Sequence, residues 1–129
     1  MLTTAMQDKY RIEEKRGLGP DEQALMQWLL MNGVPGATAL LPQLAFLRIV
    51  SRCSCGCPSV DFQVGQGAIN VDGLPRIVAD FRGTTADGVD VGVILWTESG
   101  QLSSLEVYDY EGRSGFGLPR LDSLHLLRP

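Results

Sequence analysis

Residues 89–108, with the sequence VDVGVILWTESGQLSSLEVY, decide the fold class of this chain. Two runs of alternating apolar and polar residues flank the dipeptide Ser99-Gly100, which is typical of the turn between two hairpin strands. One face of the first run holds Val89, Val91, Val93 and Leu95. In the second run one face holds Leu105 and Val107, and the other holds Glu106, Tyr108 and Tyr110. This period of two predicts antiparallel strands with one apolar face toward a core.

The same alternation continues along the chain in both directions. Asp87-Gly88 is a second hairpin turn, preceded by an alternating run over residues 77–82, so residues 74–111 are predicted to form an antiparallel meander. Upstream, residues 60–64 alternate, and residues 44–57 carry their apolar side chains at odd positions. Together these runs predict a sheet of about five strands.

The first third of the chain is predicted to be helical. Pro20 suits the first position of a helix and Gly33 suits its C-terminal exit, and a capping-box pattern predicts a further helix over residues 4–15. We therefore expect an α+β fold, with N-terminal helices packed on an antiparallel sheet of about five strands that ends in a meander. The predicted organisation is an N-terminal extension with helical character over residues 1–19 and a single domain over residues 20–129.

Composition excludes several functional classes. The 129 residues carry a formal net charge of −4 and 44% hydrophobic side chains, which is typical of a soluble globular domain. An acidic chain without a basic stripe repels phosphate, so neither nucleic acid nor an anionic membrane surface is an expected partner. No apolar run approaches the ~20 residues that span a bilayer, and the N-terminus does not have the pattern of a signal peptide. We therefore expect a cytoplasmic protein.

Three cysteines at alternate positions, Cys53, Cys55 and Cys57, are the most unusual feature of the sequence. They can form a metal site with zinc as the candidate ion, or a redox-active thiol, or they can be small apolar side chains that point into the core. In a straight strand alternate residues lie roughly 6.6 Å apart, whereas thiolates on one zinc ion lie about 3.8 Å apart. A shared ion therefore requires the chain to fold back at Gly56.

The core interpretation is the one that the pattern favours. Cys53 and Cys55 continue the apolar face of residues 45–49, and free cysteine is among the most buried residue types. The usual C-x-x-C zinc pairing is absent, and a fourth ligand would have to be His125 or a carboxylate such as Asp61, both distant in sequence. A Cys57–His125 pair with Asp61 would have the residue types of a nucleophilic thiol site, but nothing in the sequence brings these residues together.

A second candidate site lies on the strands of the meander. Trp96, Glu106, Tyr108 and Tyr110 are predicted to share one sheet face. Aromatic rings beside carboxylates can form a ligand pocket or a partner surface. The alternative is that the helix beginning at Pro20 covers these side chains. We favour this alternative, because large aromatic side chains stabilise a fold most when they are buried.

One pattern resembles a known family. Residues 52–61 (RCSCGCPSVD) are followed by residues 92–95 (GVIL), residues 100–108 (GQLSSLEVY) and Leu118-Pro119. This combination is similar to a family of small uncharacterised bacterial proteins, and the resemblance spans about residues 20–122. It implies a shared fold but brings no assigned activity, cofactor or site residue.

The sequence contains no catalytic signature, so no catalytic residue is predicted and an enzyme is not the favoured class. The leading hypothesis is a small non-enzymatic domain that binds a protein partner or a second copy of itself. The alternative is a metal-binding or thiol-redox module that uses Cys53, Cys55 and Cys57. No cofactor is expected apart from zinc in that alternative.

Overall fold

A computed structural model describes residues 11–113 and 115–126. One six-stranded antiparallel sheet dominates it, in the order β1-β2-β3-β6-β5-β4. The strands are β1 (Arg11–Arg16), β2 (Leu47–Cys53), β3 (Val60–Val64), β4 (Ile77–Thr84), β5 (Asp90–Glu98) and β6 (Gln101–Asp109). Helix α1 (Pro20–Asn32) and a 3-10 helix (Ala37–Phe46) connect β1 to β2, and a short 3-10 turn (Leu121–Ser123) lies near the C-terminus.

The α+β class and the antiparallel sheet are confirmed, and so is the meander, because β4, β5 and β6 are sheet neighbours. The predicted turns at Asp87-Gly88 and Ser99-Gly100 lie between these strands. The sheet has six strands rather than five, and the additional strand is β1.

The predicted helix over residues 4–15 is wrong for its second half. Arg11–Arg16 is a strand that pairs with β2, with Arg11 opposite Cys53 and Glu13 opposite Ser51. This segment has no apolar stripe that a helix could bury, whereas in the sheet its backbone groups and charges find partners on β2 and β3. Residues 4–10 lie outside the described residues.

The core lies on one face of the sheet, beneath α1 and the 3-10 helix. Trp28 of α1 meets Phe81 of β4 edge to face, with ring centroids 4.9 Å apart. The buried residues of α1 are Leu25, Met26, Leu29 and Leu30. The sheet residues buried with them include Ile49, Phe62, Val93, Leu95 and Leu105. Among the described residues, α1 and the 3-10 helix therefore cover this face of the sheet and not the opposite one.

A buried amide fixes the 3-10 helix to the sheet. Gln43 Nε2 donates to the carbonyl oxygens of Ile69 and Gly100, each at 2.9 Å, and its Oε1 accepts from the backbone N–H of Leu102 at 3.0 Å. Every polar atom of this side chain has a partner, so its burial carries no desolvation penalty from unpaired groups.

The C-terminal segment closes the outer edge of β4. The backbones of Arg82 and His125 exchange two hydrogen bonds, at 2.8 and 2.9 Å, and Thr85 forms an isolated bridge with Pro119. Among the described residues there is no helix whose length and apolarity would let it cross a lipid bilayer.

The carboxylate of Glu22 links β1 to the start of α1. It accepts hydrogen bonds from Arg16, at 2.7 and 2.9 Å, and from the backbone N–H of Gly19, at 2.8 Å. Burial would raise the pKa of Glu22, but the hydrogen bonds from Arg16 and Gly19 outweigh it and lower this pKa.

We therefore predict that Glu22→Gln lowers the free energy of unfolding at pH 7 by about 1 kcal/mol. A lowered carboxyl pKa stabilises the fold above the unfolded-state value of about 4.3, and this contribution is lost as pH falls through the folded-state pKa. The difference between wild type and variant should therefore shrink in acid, as measured by urea unfolding from pH 7 to pH 3. The exposed Glu13→Gln is the control, and equal pH dependence of the two variants would contradict the prediction.

Candidate functional site

Residues 53–59, the cysteine loop, connect β2 to β3. The backbone N–H of Cys53 donates to Ser59 O at 3.3 Å, and that of Gly56 donates to Cys53 O at 3.4 Å. Gly56 has φ +90°, in the left-handed region that a residue with a Cβ rarely adopts. The chain therefore folds back at Gly56, which is the condition that a shared ion requires.

The three sulfur atoms of the loop lie close together. All three Sγ atoms lie within 4.8 Å of one another. Cys53 Sγ and Cys55 Sγ are 3.1 Å apart, and the backbone N–H of Cys57 points at Cys55 Sγ at 3.3 Å. The loop thus presents three soft donors toward one point.

The expectation that these cysteines fill the core is wrong. Cys53 and Cys57 are half-buried and Cys55 is exposed. The reason is a shift of register between β2 and β3. Ile49 pairs with Phe62 and Ser51 pairs with Asp61, so an advance of two residues along β2 matches an advance of one residue along β3. Such a bulge reverses the alternation, and Cys53 turns to the face opposite Ile49.

The surroundings of the Cys55 and Cys57 thiols shift their pKa values in opposite directions. Partial desolvation raises the pKa of Cys55 to about 11, and its hydrogen bonds with Cys53 and Cys57 act in the same direction. Burial would also raise the pKa of Cys57, but hydrogen bonds from Ser59 and from the neighbouring thiols outweigh it and lower this pKa. Cys57 therefore ionises before Cys55.

Neither of the predicted fourth ligands joins the cluster. His125 pairs with the outer edge of β4, five strand spacings from β2 and thus roughly 24 Å away, and its ring faces Ser123 O at 2.9 Å. The carboxylate of Asp61 accepts from Ser51 Oγ at 2.6 Å and pairs with Arg11 at 3.3 Å. Within the described part of the chain, the cluster consists of the three cysteines. The Cys57–His125 pair does not form.

The second predicted set lies on the sheet face that α1 does not cover. Trp96 Nε1 donates to Glu106 Oε1 at 3.1 Å, so the indole and the carboxylate hold each other in place. The rings of Tyr108 and Tyr110 meet edge to face at 5.3 Å, and the Arg82 guanidinium lies 4.3 Å from the Tyr110 ring. Paired and partly exposed aromatic groups of this kind can bind a ligand or a partner.

Gly92 gives Tyr108 its position on this face. A Cβ built on Gly92 would lie 2.2 Å from Tyr108 Cζ, so the ring packs directly on the β5 backbone. Burial raises the pKa of Tyr108 to about 12, and Tyr110, Asp80 and Glu106 add to this shift. The Tyr108 hydroxyl is therefore a hydrogen-bond donor at neutral pH.

Both predicted sets border one cavity of about 510 Å³, which we call the cysteine groove. Its lining includes Cys53 and Cys57, Arg11 and Arg76, and Trp96, Glu106 and Tyr108. Cys55 and Tyr110 are not part of its lining. Sequence reasoning missed both arginines, because their position depends on the order of the strands and no local motif marks them.

The chain has no match among protein-family models, curated proteins or solved structures. Inference about its function therefore depends on the chemistry of the cysteine loop and the groove.

We predict that Gly92→Ala destabilises the fold by about 1–3 kcal/mol, because the added methyl group forces the Tyr108 ring off β5. Urea unfolding measures the loss. Gly117→Ala is the matched control, since a Cβ there meets nothing within 4 Å, and it should be close to neutral. Equal effects of the two substitutions would show that Tyr108 does not depend on Gly92.

Proposed function

We propose that the protein binds a thiophilic metal ion, zinc in the first instance, through Cys53, Cys55 and Cys57. The observation that carries this proposal is the gathering of three Sγ atoms within 4.8 Å of one another on a single loop. Three thiolates on zinc, each at ~2.3 Å from the ion, are about 3.8 Å apart. Separating Cys53 Sγ and Cys55 Sγ from 3.1 Å to this spacing needs a movement of less than about 1 Å, which two side-chain rotations provide.

The donor set defines the class of ion. Thiolate is a soft ligand that favours zinc and monovalent copper over magnesium or calcium. Three protein ligands leave the fourth position of a tetrahedral zinc ion open, as in zinc sites that bind water or a ligand. The groove-facing position of Cys53 and Cys57 gives that fourth ligand room.

We expect the reduced protein, purified without an affinity metal, to bind one zinc ion per chain. Cys55→Ser should weaken this binding at least about 100-fold, because it removes one of three ligands. Competition with a chromogenic chelator measures the affinity, and cobalt substitution reports sulfur ligation by its charge-transfer absorption.

Ser54→Ala is the matched control, since Ser54 lies on the same loop and has no part in the cluster. It should bind zinc as the wild type does. If elemental analysis finds less than about a tenth of an equivalent of zinc per chain after loading, the proposed function is excluded. Equal zinc affinity of the Cys55→Ser and Ser54→Ala variants would also exclude it.

Protein interaction is the second candidate function. The observation in its favour is the sheet face that no described helix covers, where Tyr110 is 44% exposed beside Arg82. Acidic and basic side chains alternate there, with Asp80 and Glu106 near Arg76 and Arg82, so two copies of the face are complementary in charge. A second copy of the chain is therefore the occupant to test.

Under this second candidate, light scattering should detect a dimer that dissociates with dilution and with added salt. Tyr110→Ser should weaken it, while Ile69→Ser, at a site 82% exposed, should not. A monomer at every concentration from about 10 to 500 μM would exclude self-association at micromolar affinity.

A further inference from the structure

The cysteine loop holds all three sulfur donors within five residues, so the site does not join separate parts of the fold. A structural zinc site usually ties two segments together and supplies folding free energy. Here the core lies between the two helices, α1 and the 3-10 helix, and the sheet face opposite to the cysteine groove. Loss of an ion from the loop therefore leaves that core intact.

The loop is also accessible to other ligands. Cys55 is exposed, and Cys53 and Cys57 form one wall of the cysteine groove. Among the described residues, no histidine, carboxylate or further cysteine joins the three cysteines as a fourth ligand. A molecule in the groove can thus approach an ion on these sulfurs directly.

The groove also presents to such a molecule an arginine that forms no ion pair with a described residue. Arg76 is exposed and lies with its guanidinium 5.8 Å from the centre of the Trp96 ring, and it forms no ion pair with a described residue. Arg11 is already paired with Asp61, and the Glu106 carboxylate accepts a hydrogen bond from the uncharged Trp96 indole rather than from Arg76. Arg76 is therefore the side chain of the groove that is available to pair with an anion.

We propose that the metal ion on Cys53, Cys55 and Cys57 is exchanged through the groove with a small anionic thiol, which Arg76 attracts. This inference rests on the proposed function. In the exchange incoming thiols ionise and form metal–sulfur bonds one after another, beginning at the open position, and each displaces one of the three protein thiolates, which takes up the proton that the incoming thiol released. The oxidation states of metal and sulfur do not change. The protein accordingly transfers the ion rather than storing it.

The test follows zinc release from the loaded full-length chain into an excess of a zinc-reporting dye. Mercaptosuccinate, 2-mercaptoethanol and cysteamine serve as anionic, neutral and cationic thiols. We expect mercaptosuccinate to accelerate release, and Arg76→Gln to slow this step by about tenfold at low salt while leaving the neutral thiol unaffected. At about 0.5 M salt the difference should disappear.

Arg120→Gln is the control, because this exposed arginine is not in the lining of the groove and pairs with Asp122. Equal release rates for the Arg76 and Arg120 variants, in a protein that binds zinc tightly, would overturn exchange through the groove and leave the proposed function standing. A chain that binds no zinc would instead overturn the proposed function.

A second measurement tests whether exchange proceeds without unfolding. The metal-free chain should keep the circular dichroism spectrum and the dispersed amide signals of the zinc-loaded form. An unfolded metal-free chain would overturn the inference, because the ion would then be part of the fold.

Discussion

The pairing of β3 with β6 holds the two halves of the sheet together. Val60 lies opposite Leu105, and Asp61 lies opposite Ser104. The buried Ser59 hydroxyl extends this seam, since it donates to Val107 O at 3.0 Å and accepts from Val107 N–H at 2.8 Å. The contact joins segments more than forty residues apart, and it places the cysteine loop beside the aromatic groups of β5 and β6. Without it the two candidate sites would be separate.

The regular parts of the fold could be predicted because their signals are local. The alternation of residues 89–108 and the composition of two hairpin turns are enough to define the meander, and Pro20 marks the start of α1. The strand Arg11–Arg16 could not be predicted in this way. Its stability depends on cross-strand contacts with residues about forty positions away, such as the Glu14–Arg52 ion pair at 3.1 Å.

At the cysteine loop, the rule that successive strand residues point to opposite faces of the sheet gives the wrong prediction. The residues were identifiable, but Cys53 was placed on the wrong face because a single additional residue in β2 reverses the pattern. The adjacent apolar pair Ile49-Val50 is the one local sign of that bulge. Arg11 and Arg76 carry no sign at all, since the first belongs to the edge strand β1 and the second to the approach to β4.

Three of the hydrogen bonds that shape the cysteine loop run within residues 53–59: Cys53 to Ser59, Gly56 to Cys53, and Cys57 to Cys55. The segment therefore carries its own geometry, and the neighbouring strands need only supply two antiparallel ends at the usual spacing. Such a unit is portable. Grafted onto the end of another antiparallel hairpin, the same seven residues would bring their three sulfur atoms together in a protein of unrelated fold.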